Sequence, residues 1–200
     1  MTRPLLIGLS GAIGAGKSSV LRAFATRGCA VLSADAIVHT LYHRQAVRDR
    51  MVERFGADVL GPDGEVDRVS LACRVFADPE DLEWLEALLH PLVEAEFEQW
   101  VRDVLTHDPP PPLIVYESPL LFEAGLEARF DRTLVVTADD EVRRGRIAAR
   151  GGLERLGERE ARMWDAARRA AAADDAIDNS GTTEDLQEQV DAYIARYAGR

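Results

Sequence analysis

The chain has 200 residues, 46% of them hydrophobic and 30% charged, with a formal net charge of −11. That length suits one domain carrying a modest insertion, and the apolar content excludes wholesale disorder. The negative charge would repel a nucleic-acid backbone, which is held mainly by Lys and Arg on phosphates, and no apolar run approaches the roughly 18 residues of a membrane helix. We therefore expect no nucleic acid and no membrane among its partners.

In chain order, Leu5 to Ser10 reads as a short buried strand and Lys17 to Arg27 as a helix, separated by a glycine-rich turn. Ala30 to Ser33 reads as a second strand. Helices then follow over Asp35 to Tyr42 and Gln45 to Phe55, and from about Val47 to Leu105 the pattern is almost wholly helical. Asp78 and Pro79 give a helix start, and Pro91 predicts a kink or a division of the long helix that follows.

The four prolines Pro109 to Pro112 end this helical stretch and lead into the apolar run Leu113 to Tyr116. Thr133 to Thr137 reads as another strand, Asp139 and Asp140 as caps of a helix through Arg150, and Ala176 to Asp178 as a last strand. Leu186, Val190, Ile194 and Tyr197 recur at helical spacing over Thr183 to Tyr197. Strands alternating with helices imply a parallel sheet flanked by helices, an α/β fold with a helical insertion. The carboxyl ends of such strands carry the ligand site, and Ser10 and Asp35 belong there.

Gly11-Ala-Ile-Gly-Ala-Gly-Lys17-Ser18 fits the Walker A pattern between a strand and a helix, which makes the fold the P-loop NTP hydrolase type. Gly11, Gly14 and Gly16 free the backbone to aim amides at phosphate oxygens. Lys17 is the only lysine in the chain. Its ammonium is read as the partner of the β- and γ-phosphates of ATP, and the Ser18 hydroxyl as a ligand of Mg2+. A sole lysine also excludes the Asn-Lys-x-Asp motif of guanine-specific GTPases, which leaves a small-molecule kinase as the best reading.

Charge is unevenly spread, with nine Arg against four acids over Arg143 to Ala170. Such a basic segment in an acidic protein suits a small anionic ligand. Cys29 and Cys73 lack the spacing of a disulfide framework or zinc site, and the first apolar run ends in a glycine loop instead of a signal cleavage site. Both features point to a cytoplasmic protein. Nothing in the pattern signals an oligomeric state.

Further motifs occur in a fixed order: Ser33-Ala34-Asp35, Phe55-Gly56, Val66-Asp67-Arg68, Val75-Phe76, His90-Pro91, Pro119-Leu-Leu-Phe-Glu123 and Asp178-Asn179. Together with the glycine loop they resemble the dephospho-CoA kinases. That resemblance implies transfer of the γ-phosphoryl of ATP to the ribose 3′-hydroxyl of dephospho-CoA, giving CoA and ADP. Two alternatives stand beside it: another metabolite or nucleotide kinase of the P-loop class, and an ATP-binding switch without transfer.

The resemblance further implies a nucleotide-binding core over residues 1–35 and 113–200, an inserted CoA-binding region over 36–112, and an arginine-rich lid over 150–174. It places Ala15, Ser19 and Asn179 with Gly11, Gly14, Gly16, Lys17 and Ser18 around ATP, and Arg68, His90, Pro119, Leu120 and Leu121 around the acceptor. His90 reads equally as a structural histidine of the helical region, and Leu120, Leu121 and Phe122 also read as core. Asp35 takes the role of catalytic carboxylate, orienting the acceptor hydroxyl and receiving its proton; a helix cap is its other reading. Glu117, at the end of a strand, is read either as a Mg2+ partner through water or as a cap.

Arg146 and Arg150, four apart on one helix face, are read as phosphate clamps or as solvated residues paired with Glu154. Three positions depart from the family pattern. Ser33 stands where the family has a second carboxylate, and Arg143 and Arg162 stand where it has glutamines.

Overall fold

The computed structural model describes residues 3–149, 157, 160 and 163–199, which form two compact units. One comprises residues 1–33 and 103–200, the other residues 34–102. The sequence pattern places these boundaries at 35/36 and 112/113.

In the first unit, five parallel strands form one sheet: β1 (Leu5–Gly11), β2 (Ala30–Ser33), β3 (Leu113–Glu117), β4 (Arg132–Thr137) and β5 (Asp175–Asp178), in the order β2-β3-β1-β4-β5. The fold is α/β. β1 and β3 are near-continuous apolar runs, as expected of strands covered on both faces, and Ile7, Leu9, Leu113, Val115 and Leu134 are fully buried. Register is set by pairs such as Leu9 with Glu117 and Leu9 with Leu134, so Ser10, Gly11, Ser33 and Glu117 gather at one edge of the sheet.

Helices α1 (Lys17–Ala25), α6 (Asp140–Ala149), α7 (Ala166–Ala172) and α8 (Thr183–Tyr197) belong to this unit. α8 carries its apolar stripe into the core, with Leu186, Val190 and Tyr193 joining Phe24 and Ile177. Its start is fixed by a capping box. The Thr182 hydroxyl accepts from Asp185 N at 3.1 Å, and the Asp185 carboxylate accepts from Thr182 N at 2.8 Å. α7 went unread in the sequence because alanines give no period. Its cap is the Asp165 side chain on Arg168 N at 2.7 Å.

The second unit holds α2 (Ala34–Tyr42), α3 (Gln45–Phe55), α4 (Arg68–Ala77) and most of α5 (Pro79–Val104). Two sequence expectations are corrected here. Of the kink and the division predicted at Pro91, the division does not occur: α5 runs through it as one helix of 26 residues, in which a single missing backbone donor is tolerated. Between Phe55 and Arg68 the chain is not α-helical: after a single 3-10 turn over Ala57–Val59, Gly61-Pro62-Asp63-Gly64 makes a turn that joins Leu60 to Val66 in an antiparallel bridge. Glu65 N donates to Asp63 Oδ1 at 3.1 Å and Gly61 N to Glu65 O at 2.8 Å, which closes the turn.

The helices of this unit are tied by charge as well as apolar packing. Asp81 of α5 accepts from Arg54 of α3 at 2.9 Å and from Arg74 of α4 at 3.1 Å. Burial works to raise its carboxyl, but those hydrogen bonds outweigh it and the pKa falls below the ordinary carboxylate value. Phe55 meets Trp84 edge to face at 5.1 Å.

Candidate functional site

β1 delivers the chain to the carboxyl edge of the sheet at Gly11, and α1 begins at Lys17. The intervening loop requires glycine at two positions. Gly14 (φ +79°) and Gly16 (φ +93°) lie in the left-handed region. Space forbids a side chain at both as well: a Cβ on Gly14 would stand 2.8 Å from the Arg143 carbonyl oxygen, and one on Gly16 2.0 Å from Asn179 Nδ2. Gly16→Ala should therefore displace Asn179 and strain the loop by about 1–2 kcal/mol. Titration with ADP would show the lost affinity; unchanged affinity would mean that the loop does not contact the nucleotide.

Lys17 turns back over the start of the loop. Its ammonium donates to the Gly11 carbonyl at 3.0 Å and lies 3.9 Å from Glu117 Oε1. Both side chains are largely buried, at 15% and 8% exposure, so the pair is only weakly screened by solvent. Glu117 reaches this place because β3 pairs in register with both β1 and β2. Ser18 is exposed and Ser19 half-buried in the first turn of α1. Fully buried Ser10 donates to the Pro119 carbonyl at 3.3 Å and so fixes the chain leaving β3.

The outer side of the loop is held by three side chains. Arg143 Nε donates to Ile13 O at 2.9 Å, and Asn179 Nδ2 donates to Ala15 O at 2.8 Å. Arg146 donates to Ala15 O at 3.3 Å and to Asn179 O at 2.9 Å. Arg146 and Asn179, read in the sequence as contacts of ATP, are thus shown holding the loop's backbone. Arg150 and Arg162 lie outside the described residues, as does much of the proposed lid.

Beside α1 a cavity of about 300 Å³ opens between Ser19, Arg22, Arg146, Asn179 and the Gly181–Thr183 turn. Sequence reading had named Ser19, Arg146 and Asn179 but missed Arg22 and the turn. The Thr182–Asp185 capping box is the local signal that could have located that turn.

After β3, Pro119 and Leu120 keep part of their surface, while Leu121 is fully buried and packs under Gly8. Glu123 pairs with Arg169 of α7 at 3.1 Å and also accepts from Trp164 N at 2.6 Å. Arg169, only 1% exposed, further donates to the Trp164 carbonyl at 2.8 Å. Trp164 stacks on Phe122, with ring centroids 6.0 Å apart. No local pattern signals this buried pair, whose members are 46 residues apart.

A family model described as dephospho-CoA kinase matches residues 5–185. The chain belongs to the dephospho-CoA kinase family. The dephospho-CoA kinase of Deinococcus radiodurans is 40% identical over 195 residues, covering 96% of this chain and 92% of that protein. That of Sodalis glossinidius is 36% identical, covering 96% and 91%. A crystal structure of a Thermus thermophilus protein superimposes with a TM-score of 0.82 at 36% identity, over 99% of this chain and 100% of that one. The dephospho-CoA kinase structure from Campylobacter jejuni, at 21% identity, shares the fold with a TM-score of 0.67 over 98% of this chain and 99% of that one.

The remaining residues that the dephospho-CoA kinase resemblance singled out lie in the helical unit. Asp35 is exposed in the first turn of α2, and Arg68 opens α4 behind its cap Asp67. Both act on Tyr42: burial raises the phenol's pKa, Arg68 opposes that rise and Asp35 adds to it. Asp35, Tyr42 and Arg68 therefore share one electrostatic neighbourhood, in which sequence reading had missed Tyr42. His90 is exposed on α5.

Among the described residues no group of three or more His, Cys, Asp or Glu side chains is arranged to hold a metal ion. The oxygen ligands offered by Ser18 and Glu117 fit Mg2+, which typically takes one or two protein groups and completes its shell with substrate phosphates and water.

Proposed function

We propose that this chain transfers the γ-phosphoryl group of ATP to the ribose 3′-hydroxyl of dephospho-CoA, releasing CoA and ADP in the last step of coenzyme A biosynthesis. One observation carries the reading: the sole lysine stands between the glycine loop and buried Glu117 in a chain that belongs to the dephospho-CoA kinase family over most of its length.

In this mechanism the amides of the Gly11 to Ser18 loop and the Lys17 ammonium bind the β- and γ-phosphates. The lysine exchanges the Gly11 carbonyl and Glu117 for phosphate oxygens. The acceptor hydroxyl attacks phosphorus, the bond to the β-γ bridging oxygen breaks, and Asp35 receives the proton. Because charge in such a transition state is spread over the phosphoryl oxygens, positioning and fixed positive charge contribute most. Bound Mg2+ would neutralise phosphate charge, with Ser18 and Glu117 as its protein partners.

The 300 Å³ cavity is the proposed seat of the adenosine moiety. Arg146, its guanidinium oriented by two carbonyls, presents a flat face of the kind that stacks on a base. Residues 36–112, with Arg68 and His90, are the proposed CoA-binding region, and Pro119, Leu120 and Leu121 are further proposed substrate contacts, fully buried Leu121 as a support. Residues 150–174, including Arg150, are the proposed lid. Cys29 and Cys73 are both thiols, and no helix among the described residues is long and apolar enough to cross a membrane. The free thiols support the proposed cytoplasmic location.

ADP release measured with ATP and each of dephospho-CoA, adenosine, AMP and shikimate tests the acceptor. Fastest turnover on dephospho-CoA is expected; faster turnover on another of the four would displace the reading. Asp35→Asn should lower kcat about 100-fold or more while leaving ADP affinity unchanged. Near-normal kcat in that variant would remove the proton-accepting role.

A further inference from the structure

A peptide group is planar and trans, so the direction of one residue's carbonyl fixes the opposite direction of the next residue's N–H. Within the glycine loop, the Ile13 carbonyl is held on the outside by Arg143 Nε at 2.9 Å. The Gly14 N–H must then point away from Arg143. The contact is reinforced by close approach of the backbones, because the Arg143 carbonyl would stand only 2.8 Å from any Cβ at position 14. α6 therefore meets the loop with both its main chain and this side chain.

The rest of the guanidinium is equally committed. Nη1 donates to Asp140 at 2.7 Å and Nη2 to Glu160 at 2.7 Å, and the side chain is 14% exposed. A planar head with donors on three separate partners has a single orientation available to it. Its charge is balanced by two carboxylates, so it gains nothing by swinging toward a phosphate.

We infer that Arg143 is a positioning residue for phosphate binding: through the Ile13 carbonyl it orients the Gly14 amide toward the nucleotide's phosphate tail, without touching the nucleotide itself. This rests on the reading that the loop holds that tail. Arg143 thereby differs from Lys17, which meets the phosphates directly, and from Arg146, which lines the adenosine cavity.

Binding of ADP and of adenosine to the full chain separates these roles, measured calorimetrically for wild type, Arg143→Met and Arg143→Gln. Methionine keeps the aliphatic stem and removes every donor; glutamine restores an amide that can reach Ile13. Arg143→Met should weaken ADP about tenfold with adenosine changed by less than about twofold, and Arg143→Gln should recover most of the loss. Equal weakening of both ligands, or no weakening of ADP, would overturn the inference.

Should Arg143→Met not fold, Arg143→Lys carries the same comparison, since one ammonium cannot serve Ile13, Asp140 and Glu160 in the same planar geometry. An ADP-selective loss in it supports the inference and an unselective one refutes it. Wild type binding ADP no more tightly than adenosine would instead remove the phosphate-loop reading itself, and this inference with it.

Discussion

Replacing Lys17 by alanine is expected to lower kcat/KM for ATP by about 100- to 1,000-fold, the range typical of deleting one preorganised charge that meets a developing anion. The expectation follows from position and from scarcity. The ammonium sits 3.0 Å from the first loop carbonyl and 3.9 Å from a carboxylate that is itself mostly buried, and the chain has no second lysine to replace it. Lys17→Arg should not rescue, because a guanidinium is a wide planar fork and the recess between Gly11 and Glu117 receives a compact ammonium. Initial rates of ADP release decide the matter. Rates within about threefold of wild type for the alanine variant would show that the charge is not used in the transition state.

The largest effect on stability is expected at Arg169. Arg169→Ala should destabilise the protein by about 3–5 kcal/mol, since it strands the partly buried Glu123 carboxylate without its cation. The same substitution removes the donor to the Trp164 carbonyl, which loosens the stack of Trp164 on Phe122. Urea unfolding followed by tryptophan fluorescence would report the loss. The double variant Glu123→Leu with Arg169→Met should recover much of it, because replacing both members of a buried pair leaves no charge unpaired. A loss under about 1 kcal/mol in the single variant would mean that solvent reaches Glu123 readily once Arg169 is gone. Activity should fall alongside stability, since the pair ties the Pro119 to Glu123 segment to the helix that follows the arginine-rich stretch.

The contrast between these two positions explains what was legible beforehand. Lys17 announces itself because its neighbours are local: three glycines, a preceding apolar strand and a following helix lie within a dozen residues, and each fixes backbone conformation where it stands. The strands were readable for the same reason, with Ala30–Ser33 and the helices Gln45–Phe55 and Thr183–Tyr197 falling where their side-chain periods placed them. Arg169 and Glu123 are 46 residues apart, and Arg143 and Ile13 are 130 apart. Their pairing depends on sheet order and on where α6 and α7 return, which no local pattern encodes.

Composition also misled in two places. Pro91 allows a division of the long helix as well as a kink, yet the run of good helix formers on either side carries α5 through it undivided. The stretch from Phe55 to Arg68 was absorbed into a general helical impression, although Gly56, Gly61 and Gly64 around Pro62 are turn residues that enforce the hairpin instead. Side-chain reading missed the cavity wall at Gly181–Thr183 because a capping box advertises a helix start, and only the fold brings that start beside Ser19 and Arg146.

The most direct test of the central claim is the position of the transferred phosphate. The full-length protein would be incubated with ATP, Mg2+ and dephospho-CoA, and the product assigned by phosphorus and proton NMR. A new phosphate coupled to the ribose 3′ proton, formed in step with ADP, is the predicted result. Phosphate on any other hydroxyl, or ADP formed with dephospho-CoA left unchanged, would contradict the account.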